Sequence, residues 1–300
     1  MPDPSETTTV RPPPRDRSVE ELCSFGVVNL DKPPGPTSHQ IAGWVRDLAG
    51  VERAAHGGTL DPKVTGCLPT MLGDATRLSD VFLHGTKEYV AILELHDRPP
   101  ANLESVIAEF QGPLYQKPPR KSAVSRRLRV RTIHDLDVLE VDGRQVLLRI
   151  RCERGTYVRK LCHDIGLALG TGAHMGELRR TATGPFDDRD LHTLYDLVDA
   201  LAFYREDGDD GPIREVVRPA EDALVELPSV TIAESAAREV AEGAPVYAPG
   251  VLDADDGLSP NDEPLVTCYT PAGSAVCLGR LVGGPDADSG TVVDLDRVLV

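Results

Sequence analysis

The stretch HGGTLDPKVTG, His56 to Gly66, places one carboxylate, Asp61, among Gly, Thr and Pro residues. Glycine permits tight turns and close approach of another backbone, so such a segment can hold an acid rigidly against a ligand. A carboxylate held this way can take a proton or attack as a nucleophile. On local chemistry alone, Asp61 before Pro62 is an ordinary turn former, and the case for chemistry rests on what accompanies it.

The other reactive side chains point away from metal or thiol chemistry. Six cysteines are spread along the chain without a CxxC pair. Cys152, Cys162 and His163 offer thiolate and imidazole donors, but they meet no metal-ligand spacing, so no metal and no cofactor is expected. The same usage predicts reduced thiols, several of them buried as small hydrophobes, in a cytoplasmic protein. No apolar run approaches membrane-spanning length, and the opening MPDPSETTTVRPPPRDRSVEE is too polar for a secretory signal.

Forty-eight acidic residues face 32 basic ones, a formal charge of -16 that opposes binding to a polyanion. Its distribution matters more than its sum. From Pro113 to Lys160 there are 13 Lys or Arg against 5 Asp or Glu, whereas from Arg205 to Val300 there are 6 against 20. A basic middle in an acidic chain is a local footprint for phosphates, and the candidate contacts are Lys117, Arg120, Lys121, Arg126, Arg127 and Arg129. Scattered surface arginines on strands are the competing reading. Acidic excess with Arg far above Lys is similar to proteins of salt-accumulating halophilic archaea. At molar salt, phosphate neutralisation loses affinity, so shape, stacking and short paired contacts carry more of the binding.

Positioning these residues requires ordered elements. Residues 1–21 are rich in Pro, Thr and charge and read as a flexible tail. Phe25 to Leu30 reads as a strand, Asp31 to Pro36 as a turn, and Ser38 to Leu48 as a helix capped by Thr37 or Ser38. Lys87 to Leu95 alternates as a strand with Tyr89 near its start, and Leu103 to Phe110 reads as a short helix. The prolines at 113, 118 and 119 make the start of the basic segment extended or turning. Val138 to Val141 and Gln145 to Cys152 bracket an Asp-Gly hairpin turn, and Thr156 to Leu169 opens a helix in which Arg159 can face away from Val158, Leu161 and Ile165. The polar segment Arg205 to Val217 supplies the expected domain boundary, after which short strands such as Val230 to Ile232, Leu265 to Tyr269 and Ala275 to Leu278 suggest a small all-β domain.

Five pieces in this order carry a resemblance. NLDKPPGPTSH, HGGTLDPKVTG, TKEYVA, YQKPPRKSAVSRRLRVR and RCERGTYVRKLCHDIG together resemble the TruB family of pseudouridine synthases, and within it the archaeal and eukaryotic dyskerin branch, the catalytic subunit of H/ACA guide-RNA particles. The resemblance implies a mixed α/β (α+β), antiparallel-rich catalytic domain over 22–210, followed by a small β-rich PUA pseudo-barrel over 211–300. It implies isomerisation of uridine to pseudouridine in rRNA. The N-glycosidic bond breaks, the enclosed uracil turns, and its C5 joins ribose C1′. Because the base is retained, no energy source or metal is required.

In that family pattern Asp61 is the catalytic aspartate, acting either as nucleophile at C1′ or as base toward C2′ to give a glycal. Tyr89 matches the tyrosine that stacks on uracil, with a half-buried strand aromatic as the plainer reading. Arg159 matches the arginine paired with the acid, which keeps it ionised and oriented; otherwise it is a solvated helix residue. Leu178 in GELRRT matches the apolar residue against the base or is a plain core leucine. Lys32 matches a framework lysine and His56 a histidine that helps position flipped RNA.

The segment Pro113 to Arg131 runs into the next strand without the inserted thumb loop of bacterial relatives. By resemblance this implies placement of substrate by an H/ACA guide RNA with Nop10, Gar1 and a kink-turn-binding ribosomal protein as partners. Guide-independent action on the tRNA T-loop is the alternative, and a noncatalytic RNA-binding scaffold in ribosome assembly is a third reading. The PUA likeness rests on EGAPVYAPGV and TPAGSAVCLG; Ser274, where Glu is common, and Pro264 depart from it.

Overall fold

The structure is a computed structural model and describes residues 10–118, 125 and 127–300. Ten strands make a first sheet: β1 (Phe25–Lys32), β2 (Ala54–His56), β3 (Thr65–Gly73), β4 (Lys87–Leu95), β5 (Gly112–Gln116), β6 (Arg129–Asp142), β7 (Gln145–Cys152), β8 (Ala173–Thr183), β9 (Phe186–Asp187) and β10 (Val217–Pro219). Six more make a second sheet: β11 (Ser229–Ile232), β12 (Val246–Tyr247), β13 (Val251–Ala254), β14 (Leu265–Tyr269), β15 (Ala275–Leu281) and β16 (Thr291–Val298). The helices are α1 (Val19–Ser24), α2 (Ser38–Ala49), α3 (Ser79–His84), α4 (Leu103–Ala108), α5 (Val158–Ala168), α6 (Leu194–Asp207), α7 (Gly211–Val216) and α8 (Glu234–Ala241). A mixed α/β unit thus precedes a small β-rich one.

The first sheet runs β10-β1-β3-β8-β4-β7-β6-β5, with β2 added to β3 and β9 to β8. Its pairings are antiparallel except between β3 and β8, which run parallel and pair only through Thr65–Arg179 and Gly66–Arg180. Beyond that point β3 hands its edge to β2, and the sheet splits. Gly66 sits at the split with φ +97, and a Cβ there would meet the Arg180 carbonyl oxygen at 2.2 Å, so any side chain would push the two strands apart.

Two apolar cores flank the split. One gathers Val28, Leu30, Ile41, Leu68, Leu197 and Ile213 beneath α2, α6 and α7. The other gathers Leu93, Ile107, Leu148, Leu161 and Ile165 beneath α4 and α5. Tyr89 and Leu178 touch both. In α2 a cap and apolar spacing coincide. Thr37 and Gln40 make a capping box at the start of α2, and Gly50 closes it in the left-handed region at φ 69.

α7 and β10 follow residue 210 and belong to the first core and the first sheet. Gly208 merely turns the end of α6 into α7, whose Ile213 and Val216 are buried in the first core. Residues 10–21, expected within a flexible tail, are tied down. Arg11 bonds to Asp74 at 2.6 Å and to the Leu299 carbonyl at 3.2 Å. Buried Arg17 forks onto Glu221 at 2.6 and 2.9 Å, and both guanidiniums lie over the Phe25 ring. Paired charges order this segment together with Val10 and Val19, which pack on the cores. Among the described residues no helix is long and apolar enough to cross a membrane, and no group of three His, Cys, Asp or Glu is arranged to hold a metal ion.

Candidate active site

Asp61 opens a turn closed by its own carbonyl, which accepts the Val64 N–H at 2.9 Å. Two buried side chains grip the backbone around it. Ser38, the first residue of α2, takes the Leu60 N–H at 2.8 Å and donates its hydroxyl to the Leu60 carbonyl at 3.1 Å. Lys32, at the end of β1, donates from Nζ to the carbonyls of Pro33 (3.0 Å), Pro62 (3.1 Å) and Val64 (2.8 Å). The backbone on both sides of Asp61 is therefore fixed to a strand end and a helix start. Burial lowers the Lys32 pKa, and the Asp61 carboxylate pulls it the other way. Thr37, not Ser38, caps α2, which leaves Ser38 for Leu60.

Arg159, the second residue of α5, pairs through Nη2 with Asp61 Oδ2. The turn before α5 is held from β5. Tyr157 donates its N–H to Gln116 Oε1 at 2.9 Å, and Gln116 Nε2 donates to the Tyr157 carbonyl at 3.4 Å. The ion pair itself is half exposed, with 53% of the Arg159 and 55% of the Asp61 side chain accessible, so it orients groups more than it stabilises the fold. Among the described residues Asp61 Oδ1 carries no hydrogen bond, which leaves one carboxylate oxygen available.

Opposite Asp61 stand β4 and β8. Tyr89 lies across from Arg180 in the strand register, and burial raises its phenol pKa while the Arg180 charge and hydrogen bond oppose that rise. Arg180 is itself buried, with Nε donating to the Cys67 carbonyl at 2.7 Å and Nη2 to that of Gly58 at 3.2 Å. Lys87 donates to the carbonyls of Phe82 at 2.6 Å and Gly85 at 2.7 Å. Burial, reinforced by the charge of Arg180, lowers its pKa to about 8.

Asp61, Tyr89, Arg159 and Leu178 line a single cavity of about 590 Å³, together with Lys87, Arg154 and Arg180. That volume lies within the ~300–1,000 Å³ typical of small-ligand sites. Its walls combine Leu60, Val64, Val158, Met175 and Leu178 with the Tyr89 ring, and its charges are four cations and one carboxylate. Such a site takes a flat, partly apolar ring whose attached groups are anionic. In a chain of charge -16 the local sign is reversed.

The other expected residues lie elsewhere. Lys32 sits behind the Asp61 turn, outside the lining. His56, in β2, also lies outside it; its Nδ1 accepts the Gly58 N–H at 3.4 Å, and burial first, then Arg180 and His39, lower its pKa. Lys117 and Arg127 are exposed and Arg129 begins β6, its Nη2 donating to the Ser125 carbonyl at 3.3 Å; none of the three lines the cavity. Arg120, Lys121 and Arg126 lie outside the described residues.

Sequence reasoning missed Ser38, Lys87, Gln116, Arg154 and Arg180. A strand's period of two was the available signal for two of them. Lys87 shares a face with Tyr89, and Arg180 shares one with Leu178.

Sequence models of four families match. They are the TruB family pseudouridylate synthase N-terminal domain over 46–102 and 97–158, the tRNA pseudouridylate synthase B C-terminal domain over 159–225, the DKCLD domain over 9–42 and the PUA domain over 228–284. A probable tRNA pseudouridine synthase B of Halobacterium salinarum is 66% identical over 299 residues, covering 97% of this chain and 99% of the relative. The protein of the same description from Haloarcula marismortui is 64% identical over 300 residues, covering 99% and 95%. Among solved structures, a Cbf5-Nop10-Gar1 complex aligns with TM-score 0.90 and 44% identity, covering 99% of this chain and 91% of that one. An H/ACA RNP bound to a substrate RNA containing 2'-deoxyuridine aligns with TM-score 0.89 and 42% identity over 100% and 92%. With identity of this order along nearly its whole length, the chain belongs to the TruB family of pseudouridine synthases, in the form that carries a DKCLD segment and a PUA domain.

Proposed function

We propose that this chain isomerises uridine to pseudouridine in RNA as the catalytic subunit of an H/ACA-type guide-RNA particle. The observation that carries the reading is the meeting of Asp61, Arg159, Tyr89 and Leu178 in one cavity at the split between β3 and β8. A target base must leave its stack to react, and an enclosed site with an aromatic wall is what such a base requires.

Asp61 is the reactive group. Its Oδ2 is engaged by Arg159, which orients the acid and leaves Oδ1 for the ribose, either attacking C1′ or removing the C2′ proton. Either route cleaves C1′–N1 and lets the retained uracil turn; C5 then joins C1′ as the Asp61–C1′ bond breaks, or as Asp61 returns its proton to C2′. The C5 proton is then lost and N1 gains one, so the net reaction is an isomerisation. Tyr89 stacks on the ring and Leu178 packs against it. Lys32 and Ser38 hold the turn, while His56 supports the backbone behind it. Lys117, Arg120, Lys121, Arg126, Arg127 and Arg129 provide phosphate contacts.

By likeness to the aligned complexes, the partners are a guide RNA and Nop10- and Gar1-type proteins, with a kink-turn-binding ribosomal protein completing the particle. The description shared by the curated relatives favours a second reading, direct action on tRNA. Pseudouridine formation at molar KCl by wild type and Asp61→Ala, on tRNA and on guide-complementary rRNA, with and without guide and partners, separates the two. Product that needs guide and partners supports the particle subunit, and product on tRNA alone supports the stand-alone enzyme. Product that survives Asp61→Ala overturns the catalytic assignment, and no product under any condition leaves the scaffold reading.

A further inference from the structure

The cations of the cavity differ in whether they are already engaged. Arg159 holds Asp61, Arg180 is bonded to two carbonyls, and Lys87 to two more. Arg154 stands apart. Among the described lining residues it is the one cation with no hydrogen-bond or ion-pair partner, and it is exposed.

Its backbone is nonetheless firmly held. Arg154 lies in the turn from β7 to α5, where Thr156 Oγ1 donates to the Glu153 carbonyl at 2.8 Å. Glu153 pairs with Arg131 at 3.1 Å, and Gly155, at φ +71, lets that guanidinium pass close, since a Cβ would sit 3.2 Å from its Nε. Gln116 anchors Tyr157 at the other end. A pinned turn therefore presents an unengaged, planar, five-donor group at the wall of a cavity. Its charge reaches inward, because Arg154 is among the groups that lower the Lys87 pKa.

Once a nucleotide is turned into this cavity, the two phosphates flanking it must lie at the mouth. Arg180 and Lys87 are committed to backbone carbonyls, and Arg159 is paired with Asp61. We propose that Arg154 binds one of the two phosphates flanking the target uridine, fixing the flipped nucleotide against Asp61. This rests on the reading of the cavity as a uridine site. A guanidinium fork can grip two phosphate oxygens at once, a short paired contact of the kind that survives high salt better than long-range attraction.

The test uses the assembled complex with guide, and substrate RNAs carrying a single neutral methylphosphonate 5′ or 3′ of the target uridine. Affinity is measured by fluorescence anisotropy over a range of KCl. Arg154→Ala is expected to weaken binding by ~10-fold or more and to flatten the dependence of log affinity on log salt by about one ion. One of the two methylphosphonates is expected to cost wild type a similar factor and to cost Arg154→Ala nothing further. Arg154→Lys is expected to keep the salt slope while losing part of the affinity, as a point charge without the fork does. Equal losses in wild type and Arg154→Ala at both linkages would overturn the proposal, as would an unchanged slope with weakened binding of a protein partner. Product formation with Asp61→Asn as control keeps the two readings distinct. Product that survives that substitution refutes the uridine-isomerase chemistry, while the linkage comparison still decides where Arg154 binds.

Discussion

A second cavity, of about 550 Å³, lies between the two sheets and is close in size to the 590 Å³ cavity around Asp61, yet its arginines are differently engaged. Arg77 of the first unit donates to the Val298 carbonyl of β16 at 2.8 Å. Arg297 of β16 donates back to the Arg77 carbonyl and to Asp80 at 3.0 Å. Arg280 donates to the Glu263 carbonyl at 3.2 Å. Here cations join one part of the chain to another. Around Asp61 the buried cations also hold backbone, but an unengaged arginine remains. Cavity size therefore does not distinguish a site from a seam; the state of its charges does.

The sharpest way to break this comparison is Asp61→Asn. Turnover is expected to fall by ~10³-fold or more, while stability in a urea titration at molar KCl changes by under ~1 kcal/mol, because the pair is half exposed. The seam should respond in the opposite sense. Arg17→Met leaves Glu221 buried without its partner and is expected to cost ~3–5 kcal/mol in the same titration, with activity retained at temperatures where the variant is folded. Adding Glu221→Gln should recover part of that loss, since no buried charge remains and the amide oxygen still accepts the Ala275 N–H.

Ser38→Ala lies between the two. It orphans the Leu60 N–H, at a cost of ~1–3 kcal/mol, and loosens the Asp61 turn. The expected kinetic result is a lower kcat, by roughly 10-fold to 100-fold, with little change in KM. A further effect is a pH dependence. Lys87 titrates at about 8 in the fold against an ordinary 10.5, so between those values the unfolded chain holds more of its proton and stability rises with pH. Below about 8 the penalty is complete and constant. Stability of wild type relative to Lys87→Met should therefore climb through that window. A flat difference would mean that the Lys87 ammonium is not desolvated.

How much of this was legible in the sequence depended on the range of the interaction involved. β4 coincides with the alternating run KEYVAILEL, and α2 with a capped apolar period, because both signals are local. β3 was not read, because TGCLPTMLG is buried on both faces and shows no alternation. β6 begins far upstream of Val138, since its first half is ordered by pairing with β5 and β7 rather than by its own pattern. For residues 10–21 composition alone misled. Arg11 and Arg17 find Asp74 and Glu221, which no local rule connects to them.

The sequence by itself determined the motif order, the Asp61 turn with its glycines, the likeness to a family and the reversal of charge in the middle of the chain. These are properties of neighbours along the chain or of composition. Only the tertiary structure decided that Lys32 and Ser38 grip the turn from behind, that Gln116 sets the start of α5, and that Arg180, Lys87 and Arg154 share the cavity with Asp61. Asp61 and Arg159 stand 98 residues apart, and Arg180 lies 122 residues from Gly58. Hydrogen bonds and burial act over a few ångströms, so the partners of each charge exist only once β3 and β8 meet and part.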